Sequence, residues 1–362
     1  MNRHVPEMDY LRAFAILAVL VIHVCCWWKG ISEINPLMIT NMGLHTFTHF
    51  AVPLFIFISG FLLYLKYQRK YSLKEFYLKR FWRIIPPYLV FTTFYLIFTA
   101  AIASFNAGAL TLPSVLQILY AYFAAGGYSH LWFFLIIIEL YLLYPIIVRV
   151  YHFFADRNLG VLFLLISLGL QWGWQIFGHF FELHLLGYDL SITNKVFLCR
   201  IFYFALGIFI CSHYPKIKEW VLHKSVWVFL VPTILFTVLG SCLWLSGVYF
   251  DGLYEAGRFN FIVSLIQPIY YLFTFSLLFI ISNKLAESKV KHKWLLTISL
   301  YSFGIYLIHP FFQNGIIDLL NLIGITCENV IYYPVTFVAV LLLSMLFVYI
   351  VRKFPFYKYI IG

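Results

Sequence analysis

The sequence predicts an all-α, polytopic integral membrane protein with about ten transmembrane helices and both termini in the cytoplasm. Three observations predict it. Of 362 residues, 63% are hydrophobic and 11% charged, whereas a soluble domain is roughly half apolar and a quarter charged. A water-facing exterior cannot hide that much apolar surface. The apolar residues also fall into runs of about 20, the length that crosses a hydrocarbon core. Finally, the basic residues gather in alternate loops. This composition excludes a soluble enzyme, a disordered chain and a disulfide scaffold.

The apolar runs lie at about 10–28, 44–65, 84–104, 131–149, 159–178, 196–213, 225–248, 261–282, 295–317 and 330–351. The first follows Arg3 in the manner of a signal peptide. It has no small-x-small cleavage site and nine spans follow it, so it is expected to stay in the mature protein. The third starts at Pro86-Pro87, where the chain is expected to bend. Between the third and fourth spans, residues 104–130 carry no charge, and 114–125 reads as a short interfacial or re-entrant helix. Residues 1–362 are expected to form one integral membrane domain with no appended soluble domain.

The formal net charge is +11. Of the 25 basic residues, 21 fall at the two termini, in 66–83 and in later alternate loops; only Lys29, Lys195, Arg200 and Arg258 fall on the other side. The positive-inside rule makes the crowded side cytoplasmic, and an even span count then brings both termini there. The charge is an orientation signal, and nucleic acid is excluded as a partner. The six cysteines form no C-x-x-C pair and no zinc spacing. They read as small packing residues.

Ionisable residues inside spans are costly and mark candidate sites. In the first span Arg12 and His23 are eleven residues apart. At about 100° and 1.5 Å per residue they share a face, about 16 Å apart along the axis. Asp9, three residues before Arg12, can either cap the helix or hold the guanidinium. The plain alternative is a charge anchor and an interior histidine. Arg80 and Arg83, three apart at the cytoplasmic boundary, suit either a phosphate-rich ligand or lipid headgroups. His130 and Trp132 open the fourth span, with Glu139 deeper in it. In the ninth span Ser302, Tyr306 and His309 follow i, i+4, i+7 and share a face. Ser59-Gly60-Phe61 in the second span reads as close helix packing. His45 and His49 are four apart, but two histidines without a carboxylate make a poor metal site, so no metal is expected.

Taken together, these segments resemble the membrane acyltransferase-3 family. The resemblance rests on Asp9-x-x-Arg12-x10-His23, Ser59-Gly60-Phe61, Arg80-x-x-Arg83-Ile-x-Pro86, and Leu131-Trp132-Phe133 followed by Tyr141-Leu-Leu-x-Pro145. Arg200 with Phe204 and Gly207, and Tyr306-Leu-Ile-His309-Pro310, complete it. It implies a ten-helix enzyme that moves an acyl group, acetyl or alternatively succinyl, from cytosolic acyl-CoA to a hydroxyl of a cell-surface or lipid-linked glycan. It implies a bacterial plasma membrane, a glycan acceptor, membrane lipid and polysaccharide synthesis machinery as partners. It marks His23 and Arg12 as catalytic, and Arg12, Arg80 and Arg83 as donor-binding. Asp9, His130, Trp132, Glu139, Arg200, Tyr306 and His309 are candidate substrate or transition-state residues. Some members carry a paired-acid segment where only Glu139 stands here. The C-terminal Phe354-Pro-Phe-Tyr-Lys-Tyr resembles the exopolysaccharide-modifying branch. The competing readings are a polysaccharide or small-molecule transporter or flippase, and a non-catalytic partner of a polysaccharide synthase.

Overall fold

A computed structural model describes residues 4–68, 71–124, 127–180, 184–185, 188–189, 195–249, 256–290 and 292–362. Arg3, Arg69, Lys70 and Lys291 of the orientation count, and Gly126, lie outside the described residues. The chain divides into two compact units, one of Met1–Lys66 with Tyr203–Tyr349, the other of Tyr67–Phe202 with Ile350–Gly362.

The first unit is built around α1 (Pro6–Cys25). Proline at its first position starts it without losing a useful donor, and a 3-10 turn over Cys26–Gly30 extends it. Ala13, Ala15 and Ala18 are all buried, and such small residues let neighbouring helices come close. Three helices pack on α1: α2 (Pro36–Thr48), α11 (Ala256–Glu287) and α12 (Lys293–Leu322). The predicted second span lies within one 32-residue span, Pro36–Tyr67, in which a short turn separates α2 from α3 (Ala51–Tyr67). At this break Tyr270 Oη donates to the carbonyl of Phe47 at 3.0 Å. α10 (Trp227–Tyr249) packs on α11, and α13 (Tyr332–Val351) follows α12.

A close helix crossing joins α3 to α8 (Ile201–Ser212). A Cβ on Gly60 would collide with the carbonyl oxygen of Phe204, and one on Gly207 with that of Phe57. Each glycine thus lets the other helix's backbone into contact, as expected for Ser59-Gly60-Phe61. The predicted sixth span matches Phe197–Ser212. A 3-10 turn over Phe197–Arg200 leads into twelve-residue α8, and the chain then bends by 96° into α9 (Tyr214–His223). Nine helices among the described residues are long and apolar enough to cross a membrane, or ten if this bent pair is one span.

The second unit holds α4 (Leu73–Ala107), α5 (Val115–Phe123), α6 (Trp132–Ala155), α7 (Gly160–Phe180) and the terminal α14 (Tyr357–Ile361). The third span differs from expectation. α4 begins eleven residues before 84, where the Ser72 side chain caps it, and it runs through Pro86 and Pro87 as one helix. The two prolines remove the donors for the carbonyls of Trp82 and Arg83, but tertiary packing carries the helix across. Gly108, at φ +62°, ends it in the left-handed conformation glycine tolerates. The short helix expected at 114–125 is α5, closed by a capping box on Ser114 and Gln117. Tyr88 Oη donates to the carbonyl of Tyr122 at 2.7 Å, at the end of α5. A two-residue antiparallel pair, His184–Leu185 with Tyr188–Asp189, is the extended structure among the described residues.

Gly207→Ala should destabilise the protein by about 1–3 kcal/mol through overpacking. Thermal unfolding in detergent should show a melting temperature several degrees lower. Gly173→Ala, where an added Cβ meets nothing within 4 Å, should melt like the parent.

Candidate active site

In the first unit, α1 carries two groups on one face. Near its start, Asp9 Oδ1 accepts from Arg12 Nη1 at 3.1 Å, and its other oxygen pairs with His4 Nε2 at 2.7 Å. The N-cap is Val5, with no side-chain cap bond. Asp9 therefore holds the guanidinium, which settles the two uses open to it. Arg12 remains partly exposed, with side-chain accessibility of 28%.

Three turns later stands His23, half-buried. Its ring lies against that of His309, centroids 5.0 Å apart and planes tilted by 46°. His309 is fully buried on α12, and its Nδ1 meets the carbonyls of Tyr306 at 2.8 Å and Ile305 at 3.2 Å. A neutral histidine whose Nδ1 donates to a carbonyl keeps its lone pair on Nε2. Tyr306 lies one turn before His309, ring centroids 6.0 Å apart. Ser302, Tyr306, His309 and Gln313 are all buried, so the face expected on this helix exists and is turned inward.

Gln313 was not picked out from the sequence. Its Nε2 donates to the backbone carbonyl of His23 at 2.8 Å. The last carbonyls of a helix lack intrahelical donors, and α1 gives way to a 3-10 turn here. Gln313 and the thiol of Cys26, 2.9 Å from the same carbonyl, supply them. The spacing from His309 to Gln313 is one helical turn, a signal present in the sequence. His45 and His49 stack edge to face at 4.5 Å. No group of three or more His, Cys, Asp or Glu side chains suited to a metal occurs among the described residues.

In the second unit, Arg80 is half-buried between two tyrosines. Its guanidinium lies 5.6 Å from the ring centre of Tyr67 and 5.7 Å from that of Tyr141, and Nη2 donates to Tyr67 Oη at 3.3 Å. Among the described residues, its buried Nε has no hydrogen-bond acceptor. Arg83, three residues on, is exposed. Glu139 accepts the backbone N–H of Phe197 at 2.6 Å, which satisfies the first donor of the Phe197–Arg200 turn. Gln171 Oε1 likewise accepts from Phe202 N at 3.3 Å. Arg200, half-buried, donates from Nη1 to the carbonyl of Cys199 at 2.8 Å. His130 is buried with its ring edge-on to Tyr95 at 5.3 Å. Trp132 opens α6, half-buried.

The site thus combines an acid-held arginine with a histidine pair inside a helical membrane bundle. A family model described as an acyltransferase domain matches residues 5–349, and the chain belongs to this acyltransferase family. It is a multi-pass membrane protein of that family. It is similar to the O-acetyltransferase OatA of Staphylococcus aureus, 32% identical over 189 residues, which cover 47% of this chain and 29% of that protein. The chain therefore spans less than a third of that relative's length. It is also similar to the probable poly-beta-1,6-N-acetyl-D-glucosamine export protein of Staphylococcus epidermidis, 26% identical over 375 residues, covering 100% of this chain and 96% of that one. No solved structure matches.

Glu139→Leu should leave the Phe197 N–H without its acceptor and cost about 1–3 kcal/mol, read as a lower melting temperature. Glu139→Gln, which keeps a carbonyl oxygen in place, should recover most of the loss.

Proposed function

We propose that this chain is a membrane O-acyltransferase that moves an acyl group, acetyl in the first instance, from cytosolic acyl-CoA to a hydroxyl of a cell-surface or lipid-linked glycan. It acts as a single membrane domain with both termini in the cytoplasm. The observation that carries this reading is the His23–His309 ring pair on the face of α1 that also presents Arg12. Membership of the acyltransferase family and similarity to an O-acetyltransferase support it.

Arg12, in the first unit, contributes charge and donors to the coenzyme's phosphates, an anion that forked guanidinium groups suit; Arg83, in the second unit, is an exposed guanidinium of the same chemistry. Arg80 serves the same end through its buried Nε, which a phosphate oxygen would satisfy. The pantetheine arm then carries the thioester toward His23. His23 takes the proton of the sugar hydroxyl as general base. The freed oxygen attacks the thioester carbonyl, and a tetrahedral oxyanion forms. Tyr306, through its hydroxyl, is the donor that would stabilise developing charge there, and His309 adds to it only when its Nε2 is protonated. The carbon–sulfur bond breaks, and the imidazolium returns its proton to the coenzyme thiolate. Asp9 acts on this chemistry only by holding Arg12. Glu139 and Arg200, each bonded to the backbone around the Phe197–Arg200 turn, act as positioning residues. Trp132 offers a ring for sugar stacking, and His130 packs between tyrosines.

The full-length similarity to a protein named for polysaccharide export favours a second reading, movement of a glycan across the membrane. Purified protein in liposomes separates the two. Radiolabelled acetyl-CoA with a glycan acceptor should give acylated glycan, and His23→Ala should abolish the product while retaining donor binding. Glycan movement with no acyl transfer would establish the export reading instead. Arg12→Ala should raise the KM for acyl-CoA by about tenfold or more, the worth of one charge-assisted contact, with a smaller change in kcat.

A further inference from the structure

α9 departs from α8 at 96°, as a helix does when it leaves a span to lie along a membrane surface. Its faces are divided accordingly. Lys216, Glu219, Trp220, His223 and Lys224 are exposed, while Val221 is buried. Trp220 and Trp227 are 56% and 64% exposed, and tryptophan favours the headgroup level. Lys218 turns the other way, off the exposed face, and pairs with buried Glu7 on α1. Long side chains at that depth run their stems along apolar surface and keep the charge at the interface.

Beside this ion pair lies a half-open groove, entirely within the first unit. Its walls are apolar, with Leu11, Phe57, Phe275 and Phe279 among them, and Lys218 stands at its rim. On α11, Leu272 lines the groove and is itself 39% exposed, one turn from Ile269, 45% exposed. The groove therefore continues into a lipid-facing helix surface, and its outer boundary is the bilayer.

We propose that this groove is a binding site for an anionic phospholipid of the surrounding membrane. One acyl chain fills the cleft between α1, α8 and α11, and the phosphate sits against the lysine edge of α9. Charge complementarity selects this occupant. Lys216 and Lys218 on α9, with Lys224 just past its end, outnumber Glu219 and Glu7, and basic residues at a membrane surface draw anionic headgroups at about 1 kcal/mol each. Glu7 offsets Lys218 within the groove, and this pair fixes where the polar end of the lipid must stop.

The test uses the full chain in neutral detergent. A phosphatidylglycerol carrying a photoactivatable group near its chain end is crosslinked, and the labelled peptides are identified by mass spectrometry. The label should fall on α8 and α11 residues of the groove. Phosphatidylcholine with the same chains should label them roughly fivefold less. Ser276→Trp, which fills the groove, should remove the label there. Lys216→Gln combined with Lys224→Gln, which leaves the Lys218–Glu7 pair intact, should bring phosphatidylglycerol down to the phosphatidylcholine level. Equal labelling by both lipids, undiminished labelling in Ser276→Trp, or loss of label on adding acetyl-CoA would overturn the proposal. The last result would assign the groove to the acyl donor.

Discussion

Inside a bilayer no water is on hand to bond a broken backbone, so a helix that stops or changes pitch at membrane depth leaves donors or acceptors that cost several kcal/mol each. This chain breaks its helices repeatedly, and a polar side chain from another helix meets the breaks. Gln313 serves the end of α1 and Tyr270 the end of α2. Tyr88 serves the end of α5, while Glu139 and Gln171 serve the start of the segment leading into α8. These bonds decide which polar residues are structural. They also permit the irregular segments next to His23 and Arg200, which an uninterrupted bundle would lack.

Against that background, some charged and polar groups do more than repair backbone. Asp9 is spent on Arg12, which keeps the guanidinium extended and partly exposed. Arg80 is braced by two aromatic faces, a setting in which a guanidinium keeps its charge and loses freedom to wander. His23 is half-open while its neighbour His309 is sealed. One imidazole of the pair is thus partly open and the other enclosed. Family membership says that acyl transfer is the chemistry such a bundle performs.

Much of this was legible in the sequence. Apolar run length located the spans, and eleven-residue spacing placed Arg12 and His23 on one face. The i, i+4, i+7 pattern found the α12 face. What escaped followed from long-range geometry. Nothing local shows that Gln313 reaches a carbonyl 290 residues earlier in the chain, or that Glu139 meets Phe197. The proline pair pointed to a bend, because local propensity is blind to the packing that carries α4 through it. The sixth span, read as 196–213, matches Phe197–Ser212, but the 96° turn into α9 at its end was not legible, because hydropathy counts apolar residues and not direction. Asp9 had two uses open to it, and only the observed cap position chose between them.

The glycine crossing of α3 and α8 bears on how such a protein can move. Packed helices commonly adjust by sliding a little along one another. Here each backbone is seated in a notch one residue wide on its neighbour, and a shift along the axis would drive side-chain-bearing positions into carbonyl oxygens. Shear at this seam is blocked. The two helices are thereby tied to move together, between the turn before α3 and the sharp bend after α8.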